Sequence, residues 1–162
     1  MKRVHRGNEM KHSGFTMVEM VTTLIIIGIL AAIAVPRFFV SQQYYDRGFY
    51  DQTLAIGRYA QKSAIALRRN VCMNIAASSI NLTYASAAGS SSTCNTNLPS
   101  PIDGSSPFTV TAKTGTTASS SASPVIFTAL GAVSSAAATT TITIGTSPSR
   151  TVTVETNTGY VH

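Results

Sequence analysis

The sequence is poor in the side chains that carry most enzyme and metal chemistry. Its 162 residues include no tryptophan, two cysteines and three histidines, and only 11% of them are charged. The three histidines, His5, His12 and His162, lie near the two ends of the chain. No Ser/His/Asp or Cys/His arrangement typical of a catalytic site is therefore recognisable in the sequence. A phosphate-binding loop and a dinucleotide fingerprint are also missing, and two cysteines without a nearby histidine make no metal site. The sequence therefore predicts a protein that is not an enzyme and uses no cofactor or metal.

A long apolar stretch lies near the N-terminus instead. Residues 20–36 are 17 residues without a charge, and Glu19 stands directly before them. A membrane-spanning helix needs about 20 apolar residues, and an acidic group inside one costs about 2.5–3.5 kcal/mol, so Glu19 needs a neutralising partner. Basic residues before the stretch favour a cytoplasmic N-terminus, with the rest of the chain across the membrane. They are Lys2, Arg3, Arg6 and Lys11.

The residues Gly14-Phe15-Thr16-Met17-Val18-Glu19, with the apolar run after them, resemble the type IV prepilins and the pseudopilins of type II secretion. The resemblance implies that a prepilin peptidase removes residues 1–14 as a leader. It would cut after Gly14 and methylate the new N-terminus at Phe15. Glu19 would then be the fifth mature residue and serve assembly by pairing with the amino terminus of a neighbouring subunit, because a buried charge is tolerable only when paired.

The same resemblance implies partners and a location. The partners are other pilins or pseudopilins, bound through the N-terminal helix, the prepilin peptidase and the inner-membrane assembly platform. The chain is expected to cross the bacterial inner membrane once, with its head in the periplasm, and then to enter a pilus or pseudopilus filament.

Two simpler interpretations of the N-terminus stay open. A secretory signal peptide could be cleaved after Ala32-Ile33-Ala34, and a plain membrane anchor would also explain the apolar run. Neither accounts for the junction of Gly14 with Phe15 or for Glu19.

The positive charge of the chain is concentrated in the expected leader. The formal net charge is +6 and the pI is about 9.7. Removing residues 1–14 takes away four of the twelve Lys and Arg and one of the six acids, which leaves a net charge of +3. The high pI therefore overstates the case for a nucleic-acid partner.

The expected fold class is α+β and type IV pilin-like, with a long N-terminal helix followed by a C-terminal antiparallel β head. Residues 15–40 form the transmembrane and polymerisation half of the helix, residues 41–70 its amphipathic half, and residues 71–162 the β-rich head. The helix is expected to run from residue 15 to about residue 69. Pro36 should kink it or melt it locally, because proline lacks an N–H donor and its ring clashes with the preceding turn.

The amphipathic half of the helix has two faces. A spacing of about 100° per residue predicts a face packed on the head. It comprises Tyr45, Phe49, Ile56, Ala60, Ser63 and Leu67. The opposite face carries Asp51 and a basic stripe, which we define as Arg47, Arg58, Lys62 and Arg69. A solvated helix face is the favoured interpretation of this stripe, and a ligand-binding surface is the alternative.

Short runs rich in Thr, Val and Ile predict the strands of the head. They are residues 71–75, 80–84, 108–113, 125–129, 140–144 and 151–155. Loops are expected at 87–93, 97–106 and 115–123. In an exported head, Cys72 and Cys94 are expected to form a disulfide that closes a loop of about twenty residues, with two free thiols as the alternative.

Two further stretches resemble one branch of the family. Residues 54–72 and the terminal 158–162 are similar to the GspH/FimT-like minor pilins, including the minor pilin of mannose-sensitive haemagglutinin pili. The resemblance implies a minor type IV pilin that initiates or decorates pili used in adhesion or motility. A minor pseudopilin of type II secretion, a DNA-binding minor pilin of natural transformation and a major pilin are the alternatives. DNA binding is disfavoured because Tyr160 and His162 stand where DNA-binding members have arginines.

Overall fold

The structure, a computed structural model, describes residues 14–88, 93–134 and 137–162, with side chains given outside 36–40. The expected leader lies outside these ranges except for Gly14, and so does part of the loop expected at 87–93. Contacts within the chain divide it into two compact units, with the boundary between Phe39 and Val40.

One helix is followed by eight short strands in the described part of the chain. The helix, α1, spans Met17–Leu67. The strands are β1 Val71–Ile75, β2 Ser79–Tyr84, β3 Thr96–Asn97, β4 Thr109–Thr111, β5 Ala118–Ser120, β6 Val125–Phe127, β7 Thr139–Ile144 and β8 Arg150–Glu155. The order of a long apolar-to-amphipathic helix and then an antiparallel β head is the one expected from the sequence.

Helix α1 continues past Pro36, so the local melting considered from the sequence does not occur. A proline removes one N–H donor, and the hydrogen bonds of the turns on either side can still form. The helix begins at Met17 and ends at Leu67, each within two residues of the expected limit.

The helix ends in a Schellman motif centred on an unusual residue. Arg68 has a φ of 51°, which is the left-handed region that side chains with a Cβ rarely adopt. Its N–H donates to the carbonyl of Ile65 at 3.3 Å, and the N–H of Arg69 donates to the carbonyl of Ala64 at 3.2 Å. These two hydrogen bonds satisfy carbonyls that would lack a partner at the end of the helix. They require a strained backbone conformation at Arg68.

Replacing Arg68 by glycine should therefore stabilise the protein. Glycine adopts a positive φ without a Cβ clash, so we expect Arg68→Gly to raise the free energy of unfolding by roughly 0.5–1 kcal/mol. Arg68→Ala is the matched control, because it removes the charge and keeps the Cβ. Urea unfolding of the full chain in detergent measures both, and an equal gain from the two variants would contradict the strain argument.

Two antiparallel sheets build the head. In the first, the strand order is β3-β2-β1-β6, and β4 pairs with the same edge of β2 as β3 does. In the second, the order is β5-β7-β8. The long pairings, β1 with β2 and β7 with β8, join strands that are adjacent in the chain and set the register of each sheet.

Both sheets and the second half of α1 share one hydrophobic core. Burial alternates along β7 and β8, as expected for strands with one face on a core. The largest fully buried side chains include Phe127, Ile56, Met73, Ile80, Leu82, Ile142 and Ile144. Each such side chain contributes roughly 1.5–3 kcal/mol relative to leaving it in water.

The face of α1 that packs on the core differs at its ends from the expected one. Phe49, Ile56, Ala60 and Ser63 are buried as expected, whereas Tyr45 and Leu67 are 46% and 43% exposed. The buried line also includes four residues that the apolar pattern did not select. They are Asp46, Thr53, Gly57 and Ala64. A pattern of large apolar residues misses positions where a small side chain or a satisfied polar group faces the core.

Two strands were not expected, and two expected strands are shorter. Strand β6 ends at Phe127, although the expected strand ran from 125 to 129. Strand β3 is only two residues long, and β5, Ala118–Ser120, lies within the stretch 115–123 that was expected to be a loop. Pairing with Ile142–Ile144 of β7 holds this serine-rich segment in the sheet. Context of this kind overrides the weak strand preference of serine. Strand β4 covers only the middle of the expected 108–113.

A disulfide joins Cys72 in β1 to Cys94, as expected, with the two Cα atoms 6.1 Å apart. It ties the first strand of the head to the segment before β3, across a sequence separation of 22 residues. Cys72 is buried, and Cys94 is half-buried.

Breaking this cross-link should destabilise the head. For a loop of this length we expect Cys94→Ser to lower the free energy of unfolding by about 3 kcal/mol, because the unfolded chain gains conformational freedom. Urea unfolding measures the loss, and the wild-type chain with reductant is the control that should match the variant. Equal stability of the oxidised wild type and Cys94→Ser would rule out a stabilising role for the bond.

Candidate functional site

Thr16 caps the N-terminus of helix α1. The hydroxyl oxygen of Thr16 accepts the N–H of Glu19 at 3.2 Å, and its carbonyl accepts the N–H of Met20 at 3.2 Å. Thr16 is thus the N-cap, and Glu19 is the third residue of the helix. A threonine followed three residues later by glutamate is the capping-box signature. The sequence interpretation missed this role of Thr16, although the signature could have revealed it.

The first half of α1 exposes its apolar side chains. Residues Met17–Val35 form a helix long and apolar enough to cross a membrane, with a mean hydropathy of 2.5 and none of it buried within the chain. Phe15, at the expected cleavage junction, is 78% exposed. An uncovered apolar surface of this size is stable only in a membrane or against other proteins.

Glu19 lies in the first turn of this apolar helix, and its side chain is exposed. The ion pairs recorded among the described residues do not include it. When the helix is covered by lipid or by other subunits, the carboxylate needs a positive partner or must lose its charge. The bond to the Thr16 hydroxyl comes from the backbone N–H of Glu19 and not from its carboxylate. A capping role and an assembly role for Glu19 are therefore compatible.

The basic stripe is not a row of free cations. The Nε of Arg58 donates to the carbonyl of Val161 at 3.1 Å, and Nη1 of Arg69 donates to the carbonyl of Ser86 at 2.5 Å. Arg47 and Lys62 are exposed, and Arg47 forms no ion pair with Asp51 within the described ranges. Two of the four cations, Arg58 in the helix and Arg69 just beyond its end, are thus bonded to backbone carbonyls of the head.

The C-terminal segment packs against α1 through glycines. Gly159 has a φ of +65°, and a Cβ there would lie 1.8 Å from the carbonyl oxygen of Gly131. Gln61 of α1 donates to the carbonyls of Thr158 at 2.7 Å and Gly131 at 3.3 Å. The packing of the C-terminal segment therefore requires glycine at position 159, whether or not that segment binds a ligand.

Tyr160 and His162 sit on the outer side of this segment. Their rings stack with centroids 5.2 Å apart, and Nε2 of His162 lies 3.4 Å from Oε1 of Glu155. Tyr160 is 57% exposed. The stack is aromatic and contains no arginine, unlike the cluster of arginines that attracts phosphate.

The titratable groups of the head include the hydrogen-bonded carboxylate of Asp103. Within the described residues, no group of three or more His, Cys, Asp or Glu side chains could hold a metal ion. Hydrogen bonds from the side chains of Ser100 and Ser105 hold the pKa of Asp103 below its usual value. Asp103 accepts the Ser105 hydroxyl at 2.9 Å in an exposed turn, so its role is to shape that turn.

Comparison with known proteins places these features in context. Residues 10–35 match the family described as the prokaryotic N-terminal methylation motif. The type IV narrow pilus major component PilA5 of Thermus thermophilus is 37% identical over 62 residues, which are 38% of this chain and 53% of that protein. The match thus spans about half the length of this curated relative.

Solved structures resemble the chain over more of its length. Two crystal structures of the type IV minor pilin FimU of Pseudomonas aeruginosa (strain PAO1) superpose with TM-scores of 0.50 and 0.51. They cover 74% and 75% of this chain and 90% and 87% of the solved chains, at sequence identities of 18% and 16%. Identities this low establish the fold alone.

The methylation motif, the exposed apolar helix and the fold shared with FimU agree with one another. The chain carries the N-terminal methylation motif, has the fold of the minor pilin FimU and is similar over 62 residues to the pilus component PilA5. The family resemblance of the N-terminus and the α+β pilin-like fold class, both expected from the sequence, are confirmed.

Glu19 can be tested for an assembly role that is separate from helix capping. Glutamine serves the third position of a capping box as glutamate does, so Glu19→Gln removes the charge and keeps the cap. Removing one partner of a buried ion pair costs roughly 3–5 kcal/mol, so we expect incorporation into filaments to fall more than about 100-fold. Quantitative immunoblotting of membranes and sheared filaments measures this.

Thr16→Ala is the matched control for that experiment. It weakens the N-cap by about 1 kcal/mol and leaves the carboxylate in place, so the chain should still enter filaments. Both variants should insert into the membrane. Normal incorporation of Glu19→Gln would show that the charge of Glu19 has no part in assembly.

Proposed function

We propose that this chain is a minor type IV pilin, a structural subunit that initiates or decorates pilus filaments. The observation that carries the proposal is the exposed apolar helix Met17–Val35 with one carboxylate, Glu19, in its first turn. Glutamine would serve the helix cap as well as glutamate does, so a membrane anchor alone does not require the charge of Glu19. A helix that leaves the bilayer to pack among similar helices needs it for pairing.

The steps of the proposed pathway follow from the N-terminal residues. A prepilin peptidase cuts after Gly14 and methylates Phe15, and the inner-membrane platform then draws the subunit into a filament. There the amine of Phe15 in one subunit and the carboxylate of Glu19 in another neutralise each other in an apolar core. The head, beyond the membrane, carries no enzymatic function.

The fold likeness to the minor pilin FimU, which covers 90% of that solved chain, supports a minor subunit. The sequence likeness to the major component PilA5 extends over 62 residues. The printed name of PilA5 makes a major pilin the second candidate.

DNA uptake receives little support from the described surface. Arg58 is bound to the backbone of Val161, and the tail next to it presents the Tyr160 and His162 rings in place of arginines. Phosphate attraction dominates non-specific affinity for DNA, and each phosphate contact adds to its salt dependence. Binding through this tail should therefore be weak, with only a shallow dependence on salt.

The experiment begins with sheared filaments from the native host. Intact-mass analysis of the chain should give a species that starts at N-methylated Phe15. Gly14→Leu should leave uncut precursor in the membrane, because the expected cleavage site then carries a bulky side chain. A mature start at Val35 would contradict processing by a prepilin peptidase.

The copy number of the chain then separates the candidate functions. Quantitative mass spectrometry should find it far below the most abundant pilin, and deletion of its gene should reduce the number of filaments or alter their surface properties. A copy number equal to that of the main subunit would identify a major pilin. Loss of protein secretion with intact pili would identify a pseudopilin.

A further inference from the structure

Strand β4 leaves one edge of the first sheet open. The N–H of Ala112 donates to the carbonyl of Ser78 at 2.8 Å, and the N–H of Leu82 donates to the carbonyl of Phe108 at 3.1 Å. With the register of β4 on β2, these bonds make Val110 and Ile80 a hydrogen-bonded pair. The N–H and C=O groups of Thr109 and Thr111 therefore point away from β2.

Nothing within the described residues pairs with that outer edge of β4. Both threonines are exposed, and β4 carries no charge or proline that would discourage pairing. The first charged residue beyond the strand is Lys113.

Two other sheet edges of the head, those of β8 and β6, are covered by the chain itself. The outer edge of β8 is paired with the tail, where Thr153 and His162 exchange hydrogen bonds of 2.7 and 3.0 Å. The free side of β6 is met by Ser134, whose N–H donates to the carbonyl of Ile126 at 2.8 Å. The open edge of β4 thus contrasts with edges that the same fold protects.

An apolar groove runs beside this edge. It has a volume of about 350 Å³ and lies between β4 and the helix residues Gln52 and Ala55, with Phe108 and Ile102 at its sides. Ile102 is 86% exposed. A second groove, of about 190 Å³, shares Gln52 and Thr111 and is lined further along α1 by tyrosines. They are Tyr44 and Tyr45.

The two features together describe a site for an extended polypeptide. Residues two apart in a strand are separated by about 7 Å, and an outward N–H and C=O pair recurs at that spacing on β4. An extended backbone repeats matching donors and acceptors at the same interval, whereas a lipid or a sugar does not. Every second side chain of an added strand would face α1, where the groove accepts apolar groups.

We infer that the outer edge of β4 and the adjoining groove bind an extended segment of a different pilin, which adds a strand to the first sheet. This inference rests on the proposed function, since a minor subunit must join subunits unlike itself. Two copies of the same edge would instead pair about a two-fold axis, and such a closed dimer recruits no further subunit through that edge.

Photo-crosslinking in assembled filaments tests the inference with the full chain. p-Benzoylphenylalanine placed at Thr109 should give an adduct with another pilin, identified by mass spectrometry. The matched control is the same probe at Thr141, which is exposed on β7 away from the edge. We expect no comparable adduct from Thr141.

Proline at Thr111 tests whether the backbone makes the contact. The N–H of Thr111 points away from β2, so Thr111→Pro removes an outward donor without removing a bond inside the sheet. Loss of one or two backbone hydrogen bonds should weaken the adduct roughly tenfold, whereas Thr111→Ala should leave it unchanged.

Hydrogen exchange keeps the inference testable if the proline variant does not fold. In wild-type filaments, the amides of Thr109 and Thr111 should exchange at least several times more slowly than in the unassembled chain. The amide of Val110, already bonded to β2, is the internal control and should change little.

The outcomes separate this inference from the proposed function. Absence of the chain from filaments overturns both. Presence in filaments overturns the inference alone if Thr109 gives no adduct, an adduct with a second copy, or one that Thr111→Pro leaves intact. Unprotected Thr109 and Thr111 amides in filaments also overturn it.

Discussion

The head depends on how closely its strands and tail can approach the second half of helix α1. Ala60 and Ala64 are fully buried, and a Cβ at Gly57 would lie 3.1 Å from the side chain of Val161. Small side chains along this line let both sheets share one core with the helix. The loops also need a small residue where they cross, because Gly159 lies directly against the backbone of Gly131. Larger residues at these points would separate the layers that the core holds together.

Polar groups along the same helix join the loops to that core. Oδ1 of Asp46, which is 4% exposed, accepts the hydroxyl of Thr116 at 2.6 Å and the amide of Gln42 at 3.0 Å. At the other end, Gln61 holds the loops that carry Thr158 and Gly131. A buried polar group is costly without partners, so each of these residues specifies which loop lies against it.

The first half of α1, unlike the second half, is not buried by the rest of the chain. Its apolar side chains are exposed along Met17–Val35, and burial must come from a membrane or from other proteins. Glu19 makes a purely lipid environment unfavourable and a paired, protein-lined one acceptable. The first half of α1 therefore does not complete its own burial within the chain.

Sequence by itself predicted the N-terminal motif, the long helix and the β head, and it favoured the pairing of Cys72 with Cys94 over two free thiols, because each rests on local pattern or on a small set of possibilities. Tertiary structure alone decided the roles of Asp46 and Gly159, the strand at Ala118–Ser120 and the open edge at β4. Serine and threonine have weak preferences of their own, so neighbouring strands decide whether they pair. A buried acid or a required glycine is likewise visible only once the surfaces that surround it are in place.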